Sequence, residues 1–499
     1  MNVTTRKTII SLSVLAAIGL AVGMNGATGS EEAAPTPLAA AAKVRLRVKE
    51  ALLAKFPENV ISGCMFVSSD NGHVAWIARK IDRASHKIES GKSLAVVDGV
   101  AGKEYDRVWT VVFSPDGSRV GYWATRGNKW LVVIDGVEGK EYSHVVPPIF
   151  SLDNRRVAYA AQAGGKAFAV IDGIESKPYD WWIQDLVFSP DSKHVAYGAK
   201  RGDKWIVVVD GVEGKGYDGL QDLAFSPDSR RIAYSVCAST VKASWVVVDP
   251  VPGEKMEGAE QAAPAVERKE YDAIGHLTPL FSPDGKRIAY RAERGKQCFA
   301  VVDNIEGKAY AETGRLVFSP DSKRLGYAAK SGDKWFVVVD GVEGRPYVKM
   351  GEMCPVFSPD GKRATYAAER DGKWLVVIDG MEGNAYDEVR DGSLVFNSDS
   401  KHFAYSARRG GRWIAVCDQV EGAEFHYTTL PAFSPDGKHL AYVGEREGKY
   451  FMVVDGSEAL EYGGTIDSWH ISFDGPSSFH VVGSKDRGYY RVAVEIEGK

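Results

Sequence analysis

Cysteine is scarce in this chain: five residues, Cys64, Cys237, Cys298, Cys354 and Cys417, are scattered through 499. An odd number with no CxxC pair excludes a disulfide framework and argues against a thiolate zinc site or redox motif, so these read as small buried apolar side chains. No GxSxG nucleophile elbow and no HExxH occur, so neither a catalytic residue, a metal nor a cofactor is assigned from motifs. The formal net charge is only −4, which removes the global electrostatic case for a nucleic-acid partner. Beyond Met24 no apolar run is long enough to span a bilayer.

What is plentiful is glycine (53) together with Trp, Tyr and Phe (12, 22 and 19). That pairing suits many short strands joined by tight turns. At the N-terminus, Arg6 and Lys7 precede the apolar stretch Thr8 to Met24, and small residues follow. This is the pattern of an export signal over 1–27, with an Ala/Pro/Glu-rich spacer over 28–43. A periplasmic or secreted protein is expected, with no membrane span once the signal is removed.

The tetrapeptide Phe-Ser-Pro-Asp begins at Phe113, Phe188, Phe225, Phe281, Phe318, Phe357 and Phe433, with variants at Phe150 and Phe396 and degenerate copies at Phe66 and Phe473. Most steps between copies are 37 to 40 residues, a period typical of propeller blades. Within 185–218, four strands fit one period. Strand A ends at Phe188, B runs from His194 to Ala199, C from Trp205 to Val209, and D starts at Lys215. Pro190 and Asp191 suit the A–B turn, and Asp210-Gly211 suits a C–D turn needing positive φ. Strand C is apolar on both faces, as a strand sandwiched between blades must be. The fold class is therefore all-β, a propeller of about eleven four-stranded blades.

The run at 281–290, Phe-Ser-Pro-Asp-Gly-Lys-Arg followed by Ile288, Ala289 and Tyr290, resembles the WD40-like repeat of TolB-type β-propellers over about 60–499. The second half of the unit, with its Val-Asp-Gly-Val-Glu-Gly core, departs from that pattern. TolB proteins carry an α/β domain before the propeller; here Val44 to Phe56 offers room for one short helix.

Eleven blades are many for one ring, and the C–D insertion at 250–268 breaks the period. The reading favoured by the sequence is two tandem rings. A first propeller over 44–249 would hold repeats one to five, closed by a strand D near Asn59 to Ile61. Residues 250–268 would be a linker. A second propeller over 269–499 would hold repeats six to eleven, closed by a strand D near 269–275. A single large ring is the alternative.

Asp116, Asp191 and their counterparts recur too often to be catalytic. His194, His402 and His439 replace Arg or Lys of other copies, which reads as an exposed, interchangeable position. The B–C loops are basic, including Arg201, Lys204, Arg409 and Arg412, while Glu138, Glu213, Glu306, Glu343 and Glu382 mark the C–D loops on the opposite face. The D–A segments diverge most and carry Trp109, Trp181, Trp182, His276, Arg315, Arg390, Tyr427 and Trp469. Together these are the candidate binding residues. The function expected is a non-enzymatic scaffold binding a protein or an anionic cell-envelope polymer through its loop face. The alternative is a glycan hydrolase or lyase, with Asp106, Asp180, Asp218 and Asp272 as its obvious carboxylates.

Overall fold

Each repeat folds as an antiparallel sheet because its turns are locally dictated. At the C–D turn, Asp135 and Gly136 have φ of 49° and 79°, the two successive positive values of a type I′ hairpin. At the A–B turn, Ser114 is buried; its hydroxyl donates to Asp116 Oδ1 (2.7 Å) and accepts the Arg119 amide (2.9 Å). In the copy at 189–194, burial pushes the Asp191 carboxyl up. Hydrogen bonds from Ser189 and Lys193, with the Lys193 charge, outweigh it and hold the group down to about 2.

The computed structural model describes residues 44–55, 60–81, 88–239, 243–253, 269–276, 279–467 and 470–497. The expected signal and spacer over 1–43, and 254–268 of the insertion, lie outside the described residues. The described residues contain eleven antiparallel sheets, one per repeat, numbered here as blades 1 to 11 in chain order. Blade 4 is representative: A is Gln184–Phe188, B Val195–Arg201, C Lys204–Val209 and D Val212–Tyr217, paired in that order. In seven blades strand A is split in two, as at His144–Val145 and Ile149–Phe150, both paired with Val157–Ala163.

The blades close into one ring, which corrects the tandem-ring expectation. The segment near 269–275 joins blades 5 and 6 as in other repeats: Tyr271 bridges Ser244 of blade 5, as Tyr142 bridges Trp130 in blade 2, and Ala273–Ile274 opens blade 6. Blades 5 and 6 touch as other neighbours do, with Arg231 over the Phe281 ring (5.2 Å). Closure is made by Arg45–Lys55, which is a strand and not the expected helix. It pairs antiparallel with Gly488–Glu497 and completes blade 11. Of the expected closing strand near Asn59 to Ile61, Val60 and Ile61 belong instead to Val60–Val67, the first strand of blade 1, and Asn59 lies outside the described residues. Blade 11 then packs on blade 1 through Trp76 and Tyr489 (5.3 Å) and through His480 Nε2 against Asp70 O (2.7 Å). A strand borrowed from the other end of the chain covers the edge that Gly488–Glu497 would otherwise expose.

Neighbouring blades are held by two recurring devices. The first is an arginine after the A–B turn. Arg324 Nε donates to Asp340 (3.0 Å), Nη1 donates to Lys362 O of the next blade (2.7 Å), and the guanidinium lies 5.5 Å over Phe357. Arg119, Arg156, Arg287 and Arg363 repeat this geometry. Strand B keeps the approach close: a methyl at Gly326 would come within 3.0 Å of Phe357 Cζ. The second device is a tyrosine of one strand D donating to a glutamate of the next, as Tyr142 does to Glu175 (2.8 Å) and Tyr347 to Glu382 (2.9 Å).

Histidine at the arginine position is therefore not an interchangeable surface residue. His402 is 7% exposed, and its Nδ1 meets Asp418 Oδ2 at 2.5 Å, but it is too short to reach blade 10. Asn397, which replaces the turn serine in this blade alone of the Phe-Ser-Pro-Asp-type turns, compensates. Its Oδ1 accepts the His402 amide (3.0 Å) and its Nδ2 donates to Gly437 O of blade 10 (3.1 Å). Asn397→Ser is expected to lower stability by about 1–2 kcal/mol through loss of that buried bond. Adding His402→Arg should recover at least half, because arginine restores the reach seen in blade 8. Urea titration of the two variants checks this; an unstable double variant no better than Asn397→Ser would refute the exchange.

Candidate functional site

The basic B–C loops do not form a free cationic rim. Arginine at the end of strand B and glutamate twelve residues later in strand D pair within one blade: Arg126 with Glu138 (2.7 Å), Arg294 with Glu306 (3.0 Å) and Arg446 with Glu458 (2.8 Å). Of the expected binding cations, Arg201 is tied in this way to Glu213 and Arg409 to Glu421. Lys204 is paired with Asp218. The charge separation read from the sequence is thus largely cancelled inside each blade.

The candidate carboxylates Asp106, Asp180, Asp218 and Asp272 prove to be latches. Their Oδ2 atoms accept the backbone N–H of Gly127 (2.6 Å), Gly202 (2.7 Å), Ser239 (2.8 Å) and Gly295 (2.6 Å) at the B–C turns. Lys166 and Lys204 hold the Asp180 and Asp218 carboxyls below the usual range. A carboxylate kept ionised this way is a poor proton donor.

Two of the expected aromatic residues, Trp109 and Trp182, converge with three that sequence reasoning missed, and Trp181 adjoins Trp182 in the chain. In blade 2, Trp109 lies on strand A (Arg107–Phe113) and stacks on Trp130 of strand C (5.4 Å between centroids, 20° between planes). Trp123 of strand B meets both edge-on, at 6.5 Å and 5.9 Å. Trp130 packs on His144 of blade 3 (4.8 Å), and His144 packs on Trp182 of blade 4 (5.1 Å). Three successive blades thus share one aromatic cluster at the start of their A strands. Trp109 remains 41% and Trp181 62% exposed, unusual for indoles. Arg107 lies 4.6 Å over Trp109, and Lys200 Nζ lies 5.9 Å from the Trp181 ring. Among the described residues neither cation has an ion-pair partner, in contrast to Arg126 and Arg201 beside them. Trp123 Nε1 and His144 Nδ1 are buried without a hydrogen-bond partner. Burial also lowers the His144 pKa, keeping the imidazole neutral at pH 7.

The other candidates lie apart from this cluster. Arg390 is sandwiched between Trp413 (4.0 Å) and Tyr427 (4.9 Å), and donates to Thr428 O, so it binds blade 9 to blade 10. Arg412 is half-buried and Arg315 exposed on blade 7; neither forms an ion pair. His276 is exposed, 4.0 Å from Asp222. Trp469 lies outside the described residues.

Sequence reasoning also missed Asp185 and Asp222, which occupy bulges of strand A in blades 4 and 5 at φ of 50° and 54°. Three residues before the turn phenylalanine, other copies carry Thr110, Arg315, Cys354 or Ser393. Surrounding protein, and next the Asp222 charge, push the Asp185 carboxyl up. Among the described residues no cluster of His, Cys, Asp and Glu suits a metal ion, and no helix is long and apolar enough to cross a membrane.

No protein-family model matches the chain, and no curated protein matches it. Solved structures do. The β-propeller domain of the Trilobed protease from Pyrococcus furiosus is 12% identical with a TM-score of 0.28, the match covering 58% of this chain and 96% of that one. The Dos1 propeller is 11% identical with a TM-score of 0.34, covering 66% and 93%. TolB from Acinetobacter baumannii is 16% identical with a TM-score of 0.25, covering 58% and 78%. The fold is a β-propeller of eleven four-stranded blades in a single ring.

Proposed function

We propose that this ring is an exported, non-enzymatic scaffold that binds a protein or an anionic cell-envelope polymer through the face where the A strands of blades 2 to 4 begin. One observation carries the reading: Trp109 and Trp181 are exposed there beside Arg107 and Lys200, two cations that have no carboxylate partner among the described residues. Six B–C arginines are spent on ion pairs within their blades and five others on contacts between blades, so unpaired cations set beside exposed indoles mark a surface kept for a partner. Export is supported by Arg6, Lys7 and the apolar run to Met24, and the Ser-Pro-Asp-Gly repeat resembles that of TolB-type propellers. The test is capture of solubilised envelope polymers and proteins on the immobilised ring. Trp109→Ala with Trp181→Ala is expected to weaken capture at least tenfold without lowering Tm appreciably. Unchanged capture would overturn the reading.

A second reading has its own observation. Although Asp185 is an exposed residue of its bulge, the protein around its carboxyl and the Asp222 charge push that carboxyl up, which would suit the acid of a glycan hydrolase or lyase. Release of reducing ends or unsaturated uronates, abolished by Asp185→Asn, would favour it over the scaffold; no turnover on such substrates would dismiss it.

A further inference from the structure

We propose that the aromatic cluster of blades 2 to 4 is a binding site for an acidic glycan, whose sugar rings lie on Trp109 and Trp181 and whose carboxylates meet Arg107 and Lys200. This rests on the scaffold reading and names the ligand class of that same surface.

The ligand must offer apolar faces, because the exposed groups at the cluster and beside it, Trp109 and Trp181, are indoles. It must also be anionic. Six B–C arginines of this fold have a glutamate partner twelve residues on, whereas Arg107 and Lys200 have none, so their charge is left for something outside the chain. The charge density required is low, since one cation accompanies each exposed indole. A pyranose ring presents a face of C–H groups flanked by hydroxyls, and a uronate carries one carboxylate per ring.

Single-stranded nucleic acid stacks on aromatic rings too, but it brings a phosphate per nucleotide and needs a continuous basic track. Two isolated cations do not form one. A protein partner would need further apolar surface around the indoles to exclude water. The exposed aliphatic residues of these blades sit instead at the C–D turns (Val137, Ile174 and Val212) and at an A–B turn (Leu152). The C–D and A–B turns share one ring face, at the opposite end of strand A from Trp109 and Trp181.

Isothermal titration of the full-length purified protein with polygalacturonate, alginate and hyaluronate, against dextran and an oligo(dT) strand, tests the assignment. At least one polyuronate is expected to bind, more weakly as salt rises, and dextran at least tenfold less well. Trp181→Ala and Trp109→Ala should each reduce polyuronate affinity tenfold or more. Arg107→Gln and Lys200→Gln should weaken it about tenfold and flatten its salt dependence, with thermal unfolding unchanged as the control for folding. Absence of binding to all three polyuronates, equal binding of dextran, tighter binding of oligo(dT), or polyuronate binding indifferent to the indole and cation variants would each overturn the glycan assignment. If polyuronates fail while the double indole variant still loses envelope capture, only the ligand class falls. If that capture is also unaffected, the scaffold reading falls with it.

Discussion

Deleting Arg45–Lys55 is expected to convert the closed ring into a self-associating species with a sharply lower melting temperature. Ten residue pairs, from Arg45 opposite Glu497 to Lys55 opposite Gly488, would be lost at once. Each ladder hydrogen bond contributes about 0.5–1.5 kcal/mol net, so the loss is on the order of 5–10 kcal/mol, comparable with the whole stability of a domain. The damage is also directional. Gly488–Glu497 would become a long edge strand with unpaired N–H and C=O groups and newly uncovered apolar side chains. Ala54 would leave the cluster it shares with Trp76, Leu94 and Tyr489 at the junction of blades 11 and 1. Light scattering after size exclusion should show dimers and larger species. A synthetic peptide spanning 45–55, added in trans, should suppress them by occupying the edge. A deletion variant that elutes like the parent and melts at the same temperature would show that closure does not depend on this strand.

This strand also shows where the sequence stops being informative. Leu46 and Val48 alternate with Arg45, Arg47 and Lys49, a strand pattern, but Glu50 to Phe56 is rich in helix formers and hides it. What settles the matter is a partner some 440 residues away, and no local signal specifies such a pairing. The ring count failed for the same reason. An insertion between strands C and D looks like a boundary in sequence, whereas the structure returns through Tyr271 to the same sheet. The blades themselves were legible, because each turn is fixed by residues within six positions of one another and the pattern is repeated.

The candidate site divides along similar lines. Trp109, Trp181 and Trp182 stand out because, of the other repeats, only the last carries a tryptophan there, Trp469. Trp123, Trp130 and His144 sit at ordinary strand positions, and only packing between blades brings them together. The neutralised arginines could have been found. Arg126 and Glu138, Arg201 and Glu213, Arg294 and Glu306, and Arg409 and Glu421 all stand twelve residues apart, a spacing that a B–C–D meander brings to one side of a blade. Glutamates assigned to the opposite face by loop position reach back along the sheet, which is why the two-faced charge pattern did not survive.

Phe318→Ala should destabilise the ring by about 3–5 kcal/mol, the cost of a large cavity in a packed interior. Phe318 is 7% exposed and pairs with Leu325 in its own blade. It lies in one cluster with Ala289, Ala300 and Tyr310 of blade 6, so its ring fills the seam between blades 6 and 7. The Arg287 guanidinium rests 5.5 Å from the Phe318 centroid while its Nε holds Asp303 and its Nη1 donates to Lys323 O. Truncation therefore removes a hydrophobic plug and the platform under an inter-blade arginine together. The two effects can be separated. Phe318→Leu keeps most of the volume and should cost about 1–1.5 kcal/mol, whereas Arg287→Ala leaves the ring but breaks the bridge and should cost about 1.5–3 kcal/mol. The double variant should be less destabilised than the sum, because the side chains share a contact. In a repeat array the loss is felt first at the altered junction, so hydrogen exchange should rise most in Leu325–Ser331 and Ile288–Arg294. A melting curve unchanged by Phe318→Ala would place the turn phenylalanine outside the core and undo the account of how neighbouring blades are joined.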